Sequence, residues 1–384
     1  MKPSFSDPRL RALVYQGIAL GTALIVAWFF VSNTLENLAA RGIASGFAFL
    51  GREAGFAIGE TGFIAYSAAD TYLKALGVGV ANTLGVALIG IIAATVLGTL
   101  IGFARLSRNW LLAKLAAGYI EIVRNVPLLL QLFLWYALIN EYLPAPRAAL
   151  EPLPAIYLTN RGIFFPVPAA HPAHAWVFAA LGVGIVAAFV FARWAVRHRA
   201  RTGSGPPALE IALALVVVPP ALAFLALGAP TTLDAPRLSG FNFSGGMALT
   251  PEFAALTGGL VVYTAAFIAE IVRAGILAVP LGQFEAAHAL GLRRRRAMRL
   301  VVLPQALRAI VPPLTGQYLN LTKNSSLAVA IGYPDLVSIA NTTINQTGQA
   351  IEGVAIIMAV YLAISLSISA LMNWYNARMA LRER

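Results

Sequence analysis

Hydrophobic and polar residues in this chain do not alternate with the period of a half-buried strand, and they do not mark one stripe of a surface helix. They fall in long blocks. Eight apolar blocks reach the length that spans the hydrocarbon core of a bilayer, about 20 residues: 12–32, 77–104, 116–140, 175–193, 209–228, 251–277, 304–331 and 351–375. Each predicts a membrane-spanning helix, so the fold class is an all-α integral membrane protein of about eight transmembrane helices. The first block follows Lys2, Arg9 and Arg11, as the start of a signal peptide would. Its apolar run exceeds the roughly 7–15 residues of a cleaved signal core, so it reads as a retained anchor.

Composition supports this. Of 384 residues, 59% are hydrophobic and 11% charged, and mean hydropathy is +0.75. A soluble domain carries about a quarter charged residues. The net charge of +12 is almost wholly arginine, since Lys2, Lys74, Lys114 and Lys323 are the only lysines. Such a balance in a soluble protein would suggest nucleic acid; here it belongs to short loops flanking apolar runs, and no nucleic-acid partner is expected. With no cysteine, disulfides, thiol catalysis and cysteine metal sites are excluded. His171, His174, His198 and His288 show no metal-ligand spacing with an acidic partner, so neither a metal nor a catalytic site is expected.

Arginine placement sets an orientation. With the amino terminus inside, the cytoplasmic segments carry Arg105, Arg108 and Lys114, then Arg193, Arg197, Arg199 and Arg201, then Arg293–Arg299, then Arg378, Arg382 and Arg384. The outer segments hold scattered Arg41, Arg52, Arg147, Arg161 and Arg237, balanced by acids such as Glu36, Glu53, Glu60, Asp70 and Asp234. This satisfies the positive-inside rule and puts both termini in the cytoplasm.

The organisation that follows is an N-terminal anchor helix and outer loop (1–76), a first part of the transmembrane core (77–140), and an inserted outer loop with a peripheral helix pair (141–250). A second part of the core (251–376) holds a cytoplasmic loop at 280–299, and a cytoplasmic tail (377–384) ends the chain. The outer loops are rich in Pro, Gly and aromatics, as in Leu143–Pro146 and Phe164–Pro168, and read as ordered but irregular caps. Thr202-Gly203-Ser204-Gly205-Pro206-Pro207 reads as a flexible joint.

Two polar features interrupt the apolar blocks. Glu121-Ile122-Val123-Arg124 and Glu270-Ile271-Val272-Arg273 repeat one tetrapeptide, each near the predicted cytoplasmic end of a span. Glu and Arg three apart share a helix face and can pair. Ionisable groups at membrane depth are costly and usually face a bundle interior or a wet cavity. The two pairs therefore form either a gate at the inner mouth of a pathway or anchors that reach the headgroups. Asn125-Val126-Pro127 follows the first pair, and Pro127 should kink or restart that helix. The second feature is Asn320-Leu321-Thr322-Lys323-Asn324-Ser325-Ser326, a polar island within the seventh span. Lys323 at mid-depth needs a counter-charge or water. It either lines a polar cleft with Asn320, Thr322, Asn324, Ser325 and Ser326, or is structural.

The most informative stretch is Glu285–Pro304. Pro280 and Gly282 stop the preceding helix, a short small-residue helix runs to Gly291, Arg293–Arg296 and Arg299 follow, and a new apolar segment begins at about Leu300. Gly291 is suited to the positive φ that closes a helix, and Ala286, Ala287 and Ala289 let a partner approach closely. Glu-Ala-Ala, three residues, Gly, nine residues, an aliphatic residue, one residue and Leu-Pro resembles the coupling loop of ABC-importer permeases. Glu285, Ala286, Ala287, Gly291, Val301, Leu303 and Pro304 fill its slots, with Val301 where the family usually has Ile.

More narrowly, 77–140 and 251–376 resemble the polar-amino-acid branch of these permeases, the histidine/glutamine permease type. Tyr119–Gln131, Ala269–Ile276, Val302–Arg308 and Lys323–Leu327 carry the likeness; Asn125 and Ala274 stand where many relatives have Gly. The extra first helix and the inserted pair resemble the larger permease of general L-amino-acid transporters. The resemblance implies a five-helix type I importer core plus three peripheral helices. It implies alternating access in a bacterial inner membrane, coupled through the Glu285 loop to a separate ATPase dimer that uses ATP and Mg. A second, different permease and a periplasmic amino-acid-binding protein would complete the assembly, with membrane lipids around it. No G-x-x-x-x-G-K-[ST] loop is present, so this chain is not expected to hydrolyse ATP or hold a cofactor. Glu285 is expected to order its loop by hydrogen bonds at its own helix start. The alternative is an ion-coupled secondary amino-acid transporter, which would also show intramembrane charges and broken helices but would not need that loop.

Overall fold

The computed structural model describes residues 8–40, 45–62, 64–228 and 231–379. Lys2, Arg41, Arg382 and Arg384, and all but the first three residues of the expected tail, lie outside the described residues. The helices are α1 (Pro8–Ala40), α2 (Tyr72–Arg105), α3 (Trp110–Asn125), α4 (Leu128–Ala137), α5 (Ala173–Thr202), α6 (Ala208–Ala226), α7 (Pro251–Leu277), α8 (Leu281–Ala289), α9 (Arg294–Ala297), α10 (Leu303–Asn324), α11 (Leu336–Thr347) and α12 (Ala350–Met379). Five π-helical residues extend α4 to Tyr142, five more join α9 to α10, and a 3₁₀ turn carries α10 on to Ile331.

Among the described residues, seven helical stretches are long and apolar enough to cross a membrane, and the bent pair α3–α4 makes an eighth if it is one span. This meets the expectation of an all-α membrane protein with about eight spans. Two boundaries differ from the sequence reading. The third block is not one straight span, because α3 and α4 meet at 104°. The seventh helical stretch begins ahead of its apolar block, 304–331. Helix starts at Arg294, so the basic cluster is the first part of a helical stretch running to Ile331.

The chain divides into two compact units, residues 1–136 with 252–384, and residues 137–251. In the first unit, α2 is the organising helix. Gly90, Ala94, Gly98 and Gly102 recur every four residues along it, all buried. A Cβ added at Gly98 would lie 2.7 Å from the Ile268 Cβ and 2.8 Å from the Ala265 oxygen; one at Gly102 would lie 2.9 Å from the Ala269 oxygen. These glycines let α7 seat directly on α2. Lipid tails are as apolar as leucine, so such packing, rather than the hydrophobic effect, drives helix association in a membrane. Gly275 of α7 meets Ile310 of α10 in the same way.

Where α2 begins, Phe49, Tyr72, Ala75, Leu76 and Val78 join Leu336, Ile339 and Ala340 of α11 in a core cluster. Helix α11 was not read from the sequence: at 12 residues it is too short to span, and only one face is apolar. The Glu352 carboxylate accepts from the Gly46 amide at 2.6 Å, and Gln349 Nε2 donates to the Gly46 carbonyl at 2.9 Å, tying the loop after α1 to the first turn of α12.

The second unit corrects the expectation of irregular caps. It holds β1 (Leu150–Leu153), β2 (Ile156–Thr159), β3 (Gly162–Phe165), β4 (Val167–Pro168), β5 (Leu233–Asp234), β6 (Arg237–Ser239), β7 (Asn242–Ser244) and β8 (Met247–Leu249). The sheet order is β1-β2-β3-β8, antiparallel throughout, with Tyr157 opposite Phe164 and Ile163 opposite Leu249. Phe243 stacks on Tyr157 at 4.4 Å and tilts against Phe164 at 5.0 Å. Strands of two to four residues are too short to display alternation, which is why they read as loop. In the same unit α5 and α6 form a hairpin, with Gly184 against the Leu215 carbonyl.

Candidate functional site

The segment 280–304 forms a short helix with a defined stop. Pro280 precedes α8 with its carbonyl accepting from Gln283 N at 3.0 Å. At the other end Gly291 takes φ +73°. Its amide donates to the His288 carbonyl at 2.9 Å, and the Leu292 amide donates to the Ala287 carbonyl at 3.1 Å. This is the Schellman closure that glycine permits at least cost. Ala287 is buried, whereas Glu285, Ala286, His288 and Ala289 are exposed, as are Leu281 (77%) and Leu290 (81%). Leu303 and Pro304 begin α10, and Gln305 Nε2 donates to Gln283 Oε1 at 3.1 Å, holding α8 against it.

Glu285 does not order the loop as expected. It sits on the fifth helical position of α8, beyond reach of the free first-turn amides. The helix has no side-chain cap, and the carboxylate has no hydrogen-bond partner in the chain among the described residues. It is left facing outward.

The polar island separates into two faces. Thr322 and Ser325 are buried, and their hydroxyls donate to the Tyr318 and Thr322 carbonyls at 2.9 and 2.7 Å. Ser326 donates to the Lys323 carbonyl at 2.7 Å. These three hydroxyls are spent on the helix itself. Asn320 and Lys323 lie three apart on an exposed face, with Asn324 half-buried beside them.

The repeated tetrapeptides also diverge. On α7, Glu270 and Arg273 form the expected ion pair, the Arg273 Nε 3.0 Å from both carboxylate oxygens and Nη2 closing the fork. On α3, Glu121 and Arg124 do not pair. Glu121 is exposed, and Arg124 lies over the Phe267 ring of α7, 4.9 Å from its centroid. A guanidinium over an aromatic face keeps an attractive partner without giving up water. This tetrapeptide stands at the break of a bent pair rather than at the end of a straight span. Pro127 makes that break by withholding a backbone donor, and Gln131 repairs it: its Nε2 donates to the Val123 and Val126 carbonyls at 2.8 and 2.9 Å. Asn125 is exposed at the corner.

Residues 180–381 match the family model described as the binding-protein-dependent transport system inner membrane component. The chain belongs to this family. It is therefore a transport permease, and the ion-coupled alternative gives way. The permease is 50% identical over 98% of its length, and 94% of the relative's, to the general L-amino acid transport system permease protein AapQ of Rhizobium johnstonii. It is 51% identical to the putative amino-acid ABC transporter permease protein YhdX of Escherichia coli, covering 99% and 97% of the two chains. Identity is 41% to the glutamate/glutamine/aspartate/asparagine transport system permease protein BztB of Rhodobacter capsulatus, over 98% and 96%.

Two residues of the permease escaped the sequence reading. Arg105 ends α2 and looks there like one more positive-inside loop charge, yet its Nε is buried with no acceptor among the described residues. Asp335 caps α11, accepting from the Ser338 amide at 2.8 Å, and is fully buried. Its position after Gly332 and Pro334 was the available signal.

Proposed function

We propose that this permease moves L-amino acids into the cytoplasm by alternating access, driven by a separate ATPase dimer that grips α8. The carrying observation is the exposed surface of α8. Glu285 faces outward with no partner among the described residues, Leu281 and Leu290 are highly exposed, and Ala286 and Ala289 leave room between them. Exposed leucines on a short, rigidly stopped helix are costly unless a partner covers them. The names of the three relatives support amino acids as the cargo.

In this reading Glu285, Ala286, Ala287, Gly291, Leu303 and Pro304 transmit ATPase closure to α10. Asn320 and Lys323, with Asn324, line the pathway, and Glu270 with Arg273 and the corner at Arg124, Asn125 and Pro127 forms the inner gate. A second, related permease and a periplasmic binding protein complete the assembly. ATP and Mg are used by the partner ATPase. Arginine placement supports an inner-membrane orientation with both termini cytoplasmic.

The test is purification of the tagged permease in detergent, with identification of what accompanies it. An ABC-type ATPase should co-purify and be lost with Glu285→Ala and Gly291→Asp. A permease that purifies alone, or a variant pair that keeps the ATPase and ATP-driven uptake, would sink the coupling role.

A further inference from the structure

One charge cluster is not accounted for by a Glu–Arg gate. Glu270 is the carboxylate paired with Arg273, and two more guanidiniums, Arg105 and Arg124, are brought to the same stretch of α7. Three helices bring them together for separate reasons. Gly102 seats α2 on Ala269 and Val272 of α7, so Arg105, one turn later, ends level with the Glu270–Arg273 turn. Phe267, one turn before Glu270 on the same face of α7, holds Arg124 from α3.

Three guanidiniums against one carboxylate leave two positive charges in excess. Glu121, one turn before Arg124 on α3, is exposed and makes no ion pair with it, so water screens its charge. The excess is not fully solvated either: the Arg105 Nε is buried and without an acceptor among the described residues. A buried guanidinium donor lacking an acceptor, beside surplus positive charge, is a site short of an anion. Glu270 and Arg273 remain half-exposed, so a small ligand can reach them.

We infer that Arg105, Arg124 and Arg273 around Glu270 form a holding site for the side-chain carboxylate of an acidic amino acid in transit, and that their surplus charge favours acidic over cationic cargo. This rests on the importer reading above. Arginine suits the role because its planar fork matches a carboxylate and stays charged when partly desolvated. The Glu270–Arg273 pair keeps the site from binding too tightly, since an entering carboxylate must compete with Glu270 for Arg273. Arg105 and Arg124 are the two cations it meets without displacing an ion pair.

The test uses the whole complex, with its ATPase and binding protein, in proteoliposomes. ATP-driven uptake of glutamate, glutamine and arginine is measured for the wild type, Arg105→Gln, Arg124→Gln and Arg105→Lys. Removing either guanidinium should lower glutamate uptake about five-fold relative to glutamine, while arginine uptake holds or rises relative to glutamine. Arg105→Lys should recover most of the glutamate uptake, which a purely packing role for Arg105 would not require. If Arg105→Gln fails to assemble, Arg124→Gln carries the test, because its side chain is exposed. Equal losses for all three cargoes, or a glutamate-to-glutamine ratio within about two-fold of wild type, would overturn the holding site and leave the importer reading standing. A wild-type complex that takes up no amino acid would remove both.

Discussion

Asp335 is a residue that the fold holds at a cost. It lies between the helical stretch that ends at Ile331 and the start of α11, fully buried. Burial disfavours its carboxylate form and pushes the pKa from the ordinary 3.8 up to about 6, while amide hydrogen bonds from Ser338 and Val337 pull partly against that shift. A carboxyl whose folded pKa is raised stabilises the fold fully below the unfolded value, and that contribution is lost as pH rises through the folded one. The permease should therefore lose stability between about pH 4 and pH 6, by ~3 kcal/mol at most from this group. Asp335→Asn keeps an oxygen for the Ser338 amide but cannot ionise. Thermal unfolding in detergent across that range should be flatter for the variant than for the wild type. An unchanged profile would mean that Asp335 is hydrated or paired in solution.

At the scale of elements, the contact between α2 and α7 carries the sharpest expectation. Gly98 has backbone and side-chain atoms of α7 within 2.8 Å of where a Cβ would sit, whereas Gly118 on α3 has nothing within 4 Å. Gly98→Ala must push α7 away, at an overpacking cost of about 1–3 kcal/mol. Gly118→Ala adds a methyl group in open space and gains helix propensity. Melting temperatures in detergent should fall for the first and hold or rise for the second. Since this contact sets Arg105 level with the Glu270 turn, Gly98→Ala should also weaken any discrimination between acidic and neutral cargo.

For the molecule as a whole, the orientation can be read chemically because the chain has no cysteine. Leu290→Cys just after α8 and Phe241→Cys on the β6–β7 turn are both at highly exposed positions. A membrane-impermeant thiol reagent should label the first only from the cytoplasmic face and the second only from the opposite face. Labelling of both from one side would overturn the topology drawn from the arginines.

Sequence alone determined the features that depend on single blocks or single residues. The membrane class and the number of spans follow from the length of uninterrupted apolar runs, because a bilayer imposes one length on every crossing helix. The break at Pro127 and the stop at Gly291 were equally legible, since a missing backbone donor and a tolerance for positive φ are properties of those residues wherever they stand. The tertiary structure decided everything that depends on which helix lies beside which. Arg124 lies over Phe267 of α7 rather than pairing with Glu121, Thr322 and Ser325 turn inward while Lys323 does not, and Arg105 comes level with the Glu270–Arg273 turn, 165 positions along the chain from Glu270, because Gly98 and Gly102 let two helices touch. Those partnerships arise from close approach between distant segments, and no local pattern encodes that distance.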